Sequence, residues 1–124
     1  MANEISLMMR LAITNGLYTD TLDAQQVLIE QAAQGAHAPV VIVPAAAEAD
    51  LELGDIVTPG LIMARNLDST NYVTWGPKNA SNVMEPIGRI GPGEPFLFRY
   101  DPAATLRWQA NTADVKVQVL ALEN

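Results

Sequence analysis

His37 is the first side chain in this sequence that could do chemistry. It is the single histidine, and the chain has no cysteine. A catalytic triad or a zinc site would therefore have only carboxylates to join His37, and disulfides are excluded. We interpret His37 as a loop residue or a satisfied core residue, and we predict no catalytic residue.

Four acidic residues lie close together in the connection of residues 45–55 and could gather a hard cation. They are Glu48, Asp50, Glu52 and Asp55. Calcium accepts about six to eight oxygen ligands, but these acids lack the Asp-x-Asp-x-Asp-Gly order of a calcium loop. We interpret the segment as a long, solvated acidic connection, and we expect no metal and no cofactor.

Two further patterns could belong to an enzyme. Glycosidases use paired carboxylates, but a chain with 14 acids contains such pairs by chance. The glycine-rich stretch at residues 88–95, GRIGPGEP, lacks the Lys-Ser/Thr of a phosphate-binding loop, and its prolines favour a turn between strands. The residues carry no enzymatic signature, and we predict a non-enzymatic protein.

The aromatic residues offer the best case for a small ligand. Four of them lie on or near predicted strands and could stack on sugar rings if they were exposed: Tyr72, Trp75, Tyr100 and Trp108. Against this, Phe96, Phe98 and Tyr100 alternate like the inward face of a strand. We favour a core role and keep carbohydrate binding as an alternative.

The charge of the chain argues against a polyanionic partner. With 14 acidic and 7 basic residues, the net charge is −7, and the cations are scattered singly. Phosphate contacts require clustered Lys and Arg, so we expect no nucleic acid partner. No apolar run approaches the roughly 20 residues that cross a bilayer, and the first residues lack the basic region of a secretory signal. We expect no membrane partner.

Both ends of the chain have the period of a β-strand. Near the N-terminus, Ile5, Leu7, Met9, Leu11 and Ile13 alternate with Ser6, Met8, Arg10 and Ala12. This period of two predicts a strand with one buried face. Residues 115–121 alternate likewise, and Leu120 and Leu122 make the second face apolar at the end of that strand.

The middle of the chain consists of short segments rich in β-branched and aromatic residues. They occupy residues 60–68, 71–75, 95–101 and 105–111, each bounded by Pro, Gly, Asn or Asp. Short strands at close spacing are typical of a sandwich or barrel.

Residues 20–35 are ambiguous between helix and strand. Asp20 or Thr21 could cap a helix that ends at Gly35. However, the apolar run of residues 38–44 needs a partner strand within hairpin reach, and residues 25–32 would supply it. We favour the strand.

The stretch NLDSTN at residues 66–71 has strong turn chemistry. Its short polar side chains can hydrogen-bond to neighbouring backbone groups, and the apolar runs on either side have hairpin spacing. Gly76 and Pro77 should end the second strand, because proline cannot donate to a ladder. We therefore predict a hairpin followed by the loop of residues 76–82.

These motifs, in this order, resemble a group of small structural proteins of tailed bacteriophages. The similarity covers roughly residues 25–124 and is carried by LGD (53–55), TPG (58–60), RNLDSTNYVTWGP (65–77), GPGEPFLFR (91–99) and ANTADVKVQVLALEN (110–124). The resemblance implies that residues 25–44 are strand, that a Gly-Glu turn precedes an aromatic strand, and that the last motif opens the final strand. The sequence departs from the pattern in its Ala-rich residues 45–49 and in Trp75.

Together, these observations predict a single all-β domain over residues 1–124, a β-sandwich of the jelly-roll type with about eight strands. The resemblance implies a non-enzymatic virion protein, made in the cytoplasm of the host bacterium, that acts as a decoration or cement protein of the capsid. A small component of the tail or of the head-tail connection is one alternative, and a carbohydrate-binding module for adsorption is another.

The partners should then be other virion proteins and further copies of the chain. Apolar residues on presumed polar faces, namely Met8, Leu120 and Leu122, predict a homo-oligomer, preferably a trimer. Loops and termini are the other candidate contacts. We single out the acids Glu48, Asp50, Glu52 and Asp55, then the loop residues Lys78 and Asn79, and an N-terminal arm at residues 1–4.

Overall fold

The computed structural model describes residues 4–32 and 35–124, which form strands and no helix, so no described segment is a helix that could span a membrane. The strands are β1 (Ile5–Asn15), β2 (Tyr18–Ile29), β3 (Ala36–His37), β4 (Val40–Val43), β5 (Ala49–Asp50), β6 (Pro59–Asn66), β7 (Val73–Pro77), β8 (Gly88–Ile90), β9 (Pro95–Arg99), β10 (Leu106–Ala110) and β11 (Val115–Glu123). All of their pairings are antiparallel. The all-β class predicted from the sequence is confirmed.

The chain divides into two compact units, Met1–Ala32 and Ala33–Asn124. The first contains β1 and β2 and is called the hairpin below. The second contains β3 to β11 and is called the body. The single domain over residues 1–124 stays a prediction.

The hairpin is a long two-stranded ribbon. β1 and β2 meet at a tight turn in which Gly16 has a φ of 60°. The register places Leu11 opposite Leu22 and Arg10 opposite Asp23, with an irregularity between Leu7 and Met9. Because β2 spans Tyr18–Ile29, the strand favoured for this region is confirmed as far as Ile29.

The predicted partner of that strand was wrong. β2 pairs with β1, whereas β4, in the apolar run of residues 38–44, pairs with β11. A second strand with alternating residues, β1, lies closer to β2 along the chain and is joined to it by a shorter turn. The shorter loop closes at a lower entropic cost.

The body contains two sheets. In the first sheet the order is β3-β11-β6-β9, and β4 also pairs with β11, beside β3. β3 lies opposite Ala121 and Leu122, and β4 lies opposite residues 115–118. In the second sheet the order is β5-β10-β7-β8.

The core of the body combines residues from both sheets. Ile62 and Val117 of the first sheet, and Val73 of the second, are completely buried, and Trp108 is almost so. Alternate residues of β11 are buried, as the alternation at residues 115–121 predicts. Two sheets that share one core are consistent with a β-sandwich.

The turn at residues 66–71 does not form a hairpin, which corrects the prediction. β6 lies in the first sheet and β7 in the second, so the segment between them carries the chain from one sheet to the other. Turn chemistry and short spacing are the same for a hairpin and for such a crossing. Only the partners of β6 and β7, which are distant in sequence, distinguish the two.

Other boundaries agree with the sequence. β7 ends at Pro77, the Gly93-Glu94 turn precedes β9, and β11 begins at Val115 within the last motif. The connection of residues 45–55 is less open than expected, because it contains β5, which pairs with β10.

Candidate functional site

The hairpin has one apolar face. Directly paired residues of an antiparallel ribbon lie on the same face, so the alternation of β1 and the register of β2 bring their apolar residues together. We define the hairpin apolar face by its exposed members, Met9, Leu11, Ile13, Leu22 and Val27. Leu11 is 75% exposed and Leu22 is 74% exposed.

The other face of the hairpin is mainly polar. The Gln26 Nε2 donates to the Ser6 Oγ at 2.6 Å, and the Arg10 Nε lies 3.5 Å from a carboxylate oxygen of Asp23. Met8, a predicted contact residue, lies on this face and is 71% exposed. The predicted two-faced strand is confirmed, but the predicted burial of its apolar face is not achieved within the hairpin, because alternation specifies a face and not what covers it.

The first sheet of the body has a second apolar surface on the side away from the core. We call it the outer sheet face and define it by Val40, Ile42, Met63 and Leu120, all exposed. Leu120 pairs with Met63, and Ile42 pairs with Lys116. Met63 and Leu120, with the neighbouring pair Arg65 and Gln118, line a shallow groove.

Leu122 stands at the end of the same face. It lies opposite Ala36 of β3 and is half-buried. Of the three apolar contact residues predicted from the sequence, the structure therefore brings Leu120 and Leu122 onto one surface, while Met8 lies in the hairpin.

Two of the four acids in the 45–55 connection form an ion pair inside the body. Asp50 lies opposite Arg107 in the β5–β10 pairing and accepts from its Nε at 2.8 Å. Glu48 accepts from the Arg107 Nη1 at 3.1 Å and from the backbone N–H of Met84 at 2.8 Å. The carboxylates of Asp50 and Glu48 raise the pKa of Arg107.

This cluster links the two loops that we predicted as contacts. The Arg107 Nη1 also donates to the carbonyl of Asn82, in the 76–82 loop, at 2.7 Å. Arg107 thus joins the acidic connection to that loop. Sequence inspection missed Arg107, because its partners lie 57 and 59 positions away and only the β5–β10 pairing brings them near.

Glu52 and Asp55 have a different setting. Both are exposed, and Glu52 accepts from the backbone N–H of Gly54 at 2.8 Å. The four predicted acids therefore separate into an inner pair, Glu48 and Asp50, and an outer pair, Glu52 and Asp55.

Lys78 and Asn79 are half-buried and hold the 76–82 loop in shape. Lys78 forms a β-bridge with Met84. The Asn79 Oδ1 accepts from the backbone N–H groups of Ser81 and Val83, at 2.9 and 3.0 Å. Asn79 is thus engaged with its own loop.

His37 lies in β3, with its ring against Gly54. A Cβ added to Gly54 would lie 2.7 Å from the His37 Nδ1, and the buried Nε2 has no hydrogen-bond partner among the described residues. No group of three or more His, Asp or Glu side chains in residues 4–32 and 35–124 is arranged to hold a metal ion.

The aromatic residues pack mainly within the body. Trp108 and Tyr100 are buried, and the ring centroids of Trp75 and Phe96 lie 4.3 Å apart. Tyr72 is half-buried, with the Arg89 guanidinium 4.4 Å from its ring centroid. The core role favoured for the aromatics is confirmed for Trp108 and Tyr100.

Asn66 is a buried polar residue that sequence inspection did not single out. Its Nδ2 donates to the carbonyls of Asn71 and Ile90 at 2.9 and 3.1 Å, and its Oδ1 accepts from the N–H of Asp68. Asp68 in turn accepts from the N–H groups of Asn71 and Thr70, and these bonds lower its pKa. The NLDSTN motif indicated turn chemistry, but the burial of Asn66 follows from the crossing between sheets.

Comparison with protein families, curated proteins and solved structures finds no match to this chain. The two uncovered apolar surfaces, one in each unit, are the candidate functional features.

Proposed function

We propose that this protein is a non-enzymatic structural protein of a bacteriophage virion, acting as a capsid decoration or cement protein. It would work by surface contact with other virion proteins and with copies of itself, preferably as a trimer. It would be made in the cytoplasm of the host bacterium. The resemblance of residues 25–124 to small phage structural proteins suggests the virion role. The two exposed apolar surfaces support a role in protein contact.

The hairpin apolar face is the observation that carries the proposal. An isolated two-stranded hairpin is at best marginally stable in water, and strands of 11 and 12 residues exceed the usual five or six. Exposed apolar side chains on such a ribbon mark a site for protein contact. A protein whose role is to bind others needs such a surface.

We also propose that the body is a jelly roll of eight strands. β3 and β4 lie end to end along β11, so they can be counted as one strand interrupted before Val40. Numbered in chain order, the eight strands then give the sheet orders 1-8-3-6 and 2-7-4-5. Two four-stranded sheets made from two Greek keys are the description of a jelly roll, a fold found in viral capsid proteins and lectins. This analogy concerns fold alone.

Purified virions of the encoding phage test the role. We expect mass spectrometry to find this chain in a fixed ratio to the major capsid protein, and electron cryomicroscopy to locate it on the outer capsid surface. Capsids made without it should rupture at lower temperature and regain their stability when purified protein is added. Absence of the chain from virions would overturn the proposal.

The position of the chain in the particle separates decoration from the alternative roles. Density at the tail or at the head-tail connection would replace decoration by that role. Carbohydrate binding is not favoured, because Trp108 and Tyr100 are buried. A glycan array with clear binding would reverse that preference.

A further inference from the structure

We propose that the hairpin apolar face of one copy docks on the outer sheet face of the body of a second copy. The inference specifies the self-association in the proposed function and rests on that function, but the contact between copies can form without a capsid. It names the two surfaces that meet and can be tested in solution.

The two surfaces match in polarity, because both are apolar. Each carries exposed apolar residues on a strand face: Leu11 and Leu22 on the hairpin, Met63 and Ile42 on the body. Covering both would remove apolar area from water, which is the main driving force for protein association.

Their charges are also complementary. The hairpin, residues 4–32, is net negative, with Glu4, Asp20, Asp23 and Glu30 against one base, Arg10. Asp20 lies opposite Ile13 on the apolar face itself, whereas Asp23 pairs with Arg10 on the other face. The outer sheet face is flanked by exposed cations on three neighbouring strands, Arg65, Arg99 and Lys116. Two copies with a total charge of −7 each repel overall, so a local match of this kind determines which surfaces can meet.

The buried area approaches that of a standard protein–protein interface when two copies each contribute both surfaces to one contact. The hairpin face measures about 35 Å by 10 Å, from a rise of about 3.3 Å per residue and a strand spacing near 5 Å. A copy that contributes this face and an equal area of sheet buries about 700 Å². In a reciprocal dimer this area lies in one interface and is close to the roughly 800 Å² that each partner buries in a standard interface, whereas in a ring it is divided between two contacts.

The contact joins two different surfaces, so it is heterologous unless two copies exchange hairpins reciprocally. Heterologous contacts form rings when the rotation between copies closes, and open filaments when it does not. A closed trimer would leave neither surface exposed on any copy. This arrangement accounts for two uncovered apolar surfaces on one chain with a single kind of contact.

Cysteine cross-linking tests which surfaces meet, because the chain has no cysteine of its own. We would co-express Leu11→Cys and Met63→Cys chains, purify them reduced, and oxidise them. A disulfide-linked dimer that requires both variants is expected. Ala12→Cys is the matched control: it adjoins Leu11 but faces the other side of the hairpin, and it should give little dimer with Met63→Cys.

Light scattering across a dilution series measures the strength of the contact. Leu22→Glu places a charge on the hairpin apolar face and should raise the dissociation constant at least about tenfold. Thr21→Glu, on the opposite face, should leave it within about twofold. The double variant Arg65→Glu/Lys116→Glu should also weaken association, and circular dichroism would verify that each variant stays folded.

Three results would overturn the inference. If the protein is monomeric at every concentration, the proposed contact does not form. If the chain is nevertheless detected in virions, the proposed structural role still holds. A dimer formed by Leu11→Cys alone would mean that hairpins meet each other. A disulfide within one chain of the Leu11→Cys/Met63→Cys double variant, in dilute solution, would mean that the hairpin covers its own body.

Discussion

Asn66 shows how a single side chain can fix the path of the chain between two sheets. It is completely buried, and its amide satisfies backbone groups on both sides of the turn and on β8. A buried amide is tolerated only when its hydrogen bonds are made. Asn66 therefore specifies the crossing as well as stabilising it.

Replacing Asn66 with alanine should destabilise the body strongly. The N–H of Asp68 and the carbonyls of Asn71 and Ile90 would lose a partner, and we expect a loss of about 2–4 kcal/mol in the free energy of unfolding. Urea unfolding followed by tryptophan fluorescence would measure it. Ser69→Ala, an exposed change in the same turn, should cost little. Equal stability of the two variants would contradict this role.

Asp68 should make the stability of the turn depend on pH. Hydrogen bonds from the Asn71 and Thr70 backbone N–H groups lower its folded-state pKa below the ordinary value of 3.8. A depressed pKa means that the ionised form stabilises the fold; this contribution is complete above the unfolded-state pKa and is lost as pH falls through the folded-state pKa.

The variant Asp68→Asn removes that dependence. It should be less stable than the parent at neutral pH, and the difference should shrink as pH falls below 3.8. Thermal unfolding at a series of pH values would show the convergence. Ser69→Ala provides the control, since it has no titrating side chain. A constant difference at all pH values would argue against the assigned role of the charge.

At the scale of elements, the short strand β5 is held to the body through side-chain charge as well as backbone pairing. Glu48 and Asp50 flank Arg107, while Glu52 and Asp55 are exposed beyond β5. Neutralising all four acids would therefore mix a change in the fold with a change in surface charge. The two pairs have to be changed separately.

We expect Glu48→Gln/Asp50→Asn to lower the midpoint of thermal unfolding by a few degrees. It weakens the bonds that join Arg107 to β5, although partly exposed ion pairs each contribute little. Glu52→Gln/Asp55→Asn, which changes the charge equally, should leave the midpoint nearly unchanged. If the outer-pair variant instead binds capsids more weakly than the parent, that result would support the acidic contact predicted from the sequence. A larger loss of stability from the outer pair would contradict this division.

The elements show what local sequence can and cannot predict. The strands β1, β2 and β11 follow from alternation and β-propensity, which act within a few residues. The partners of β2 and β4, and the sheets that hold β6 and β7, depend on contacts across tens of residues. Likewise, the pairing of Arg107 with Glu48 could not be predicted, because no local pattern connects them.

At the scale of the whole molecule, the two units should differ in stability. Both tryptophans and the buried core belong to residues 35–124, whereas most described side chains of the hairpin are exposed. A truncated protein of residues 35–124 should keep the tryptophan emission and thermal unfolding of the parent under monomeric conditions. Loss of cooperative unfolding on truncation would show that the body needs the hairpin, and would favour the single domain predicted for residues 1–124.

The candidate site was predictable only in part. Leu120, Leu122 and Met8 were recognisable as apolar residues on presumed polar faces. The larger surface, the hairpin apolar face, had the pattern of a strand that packs on its own protein. Alternation is the same whether the cover comes from the same chain or from another one, so the sequence could not reveal that this face is exposed.

The position of β11 also constrains when the body can fold during synthesis. This strand, the last among the described residues, lies between β6 and the β3 and β4 strands in the first sheet. Until residues 115–123 have left the ribosome, β4 and β6 lack their common partner, and the core lacks Val115, Val117 and Val119. Such long-range pairing delays folding and leaves strand edges exposed. A ribosome-bound chain that ends before residue 115 should therefore remain protease-sensitive, with the protected body appearing only after β11 has emerged.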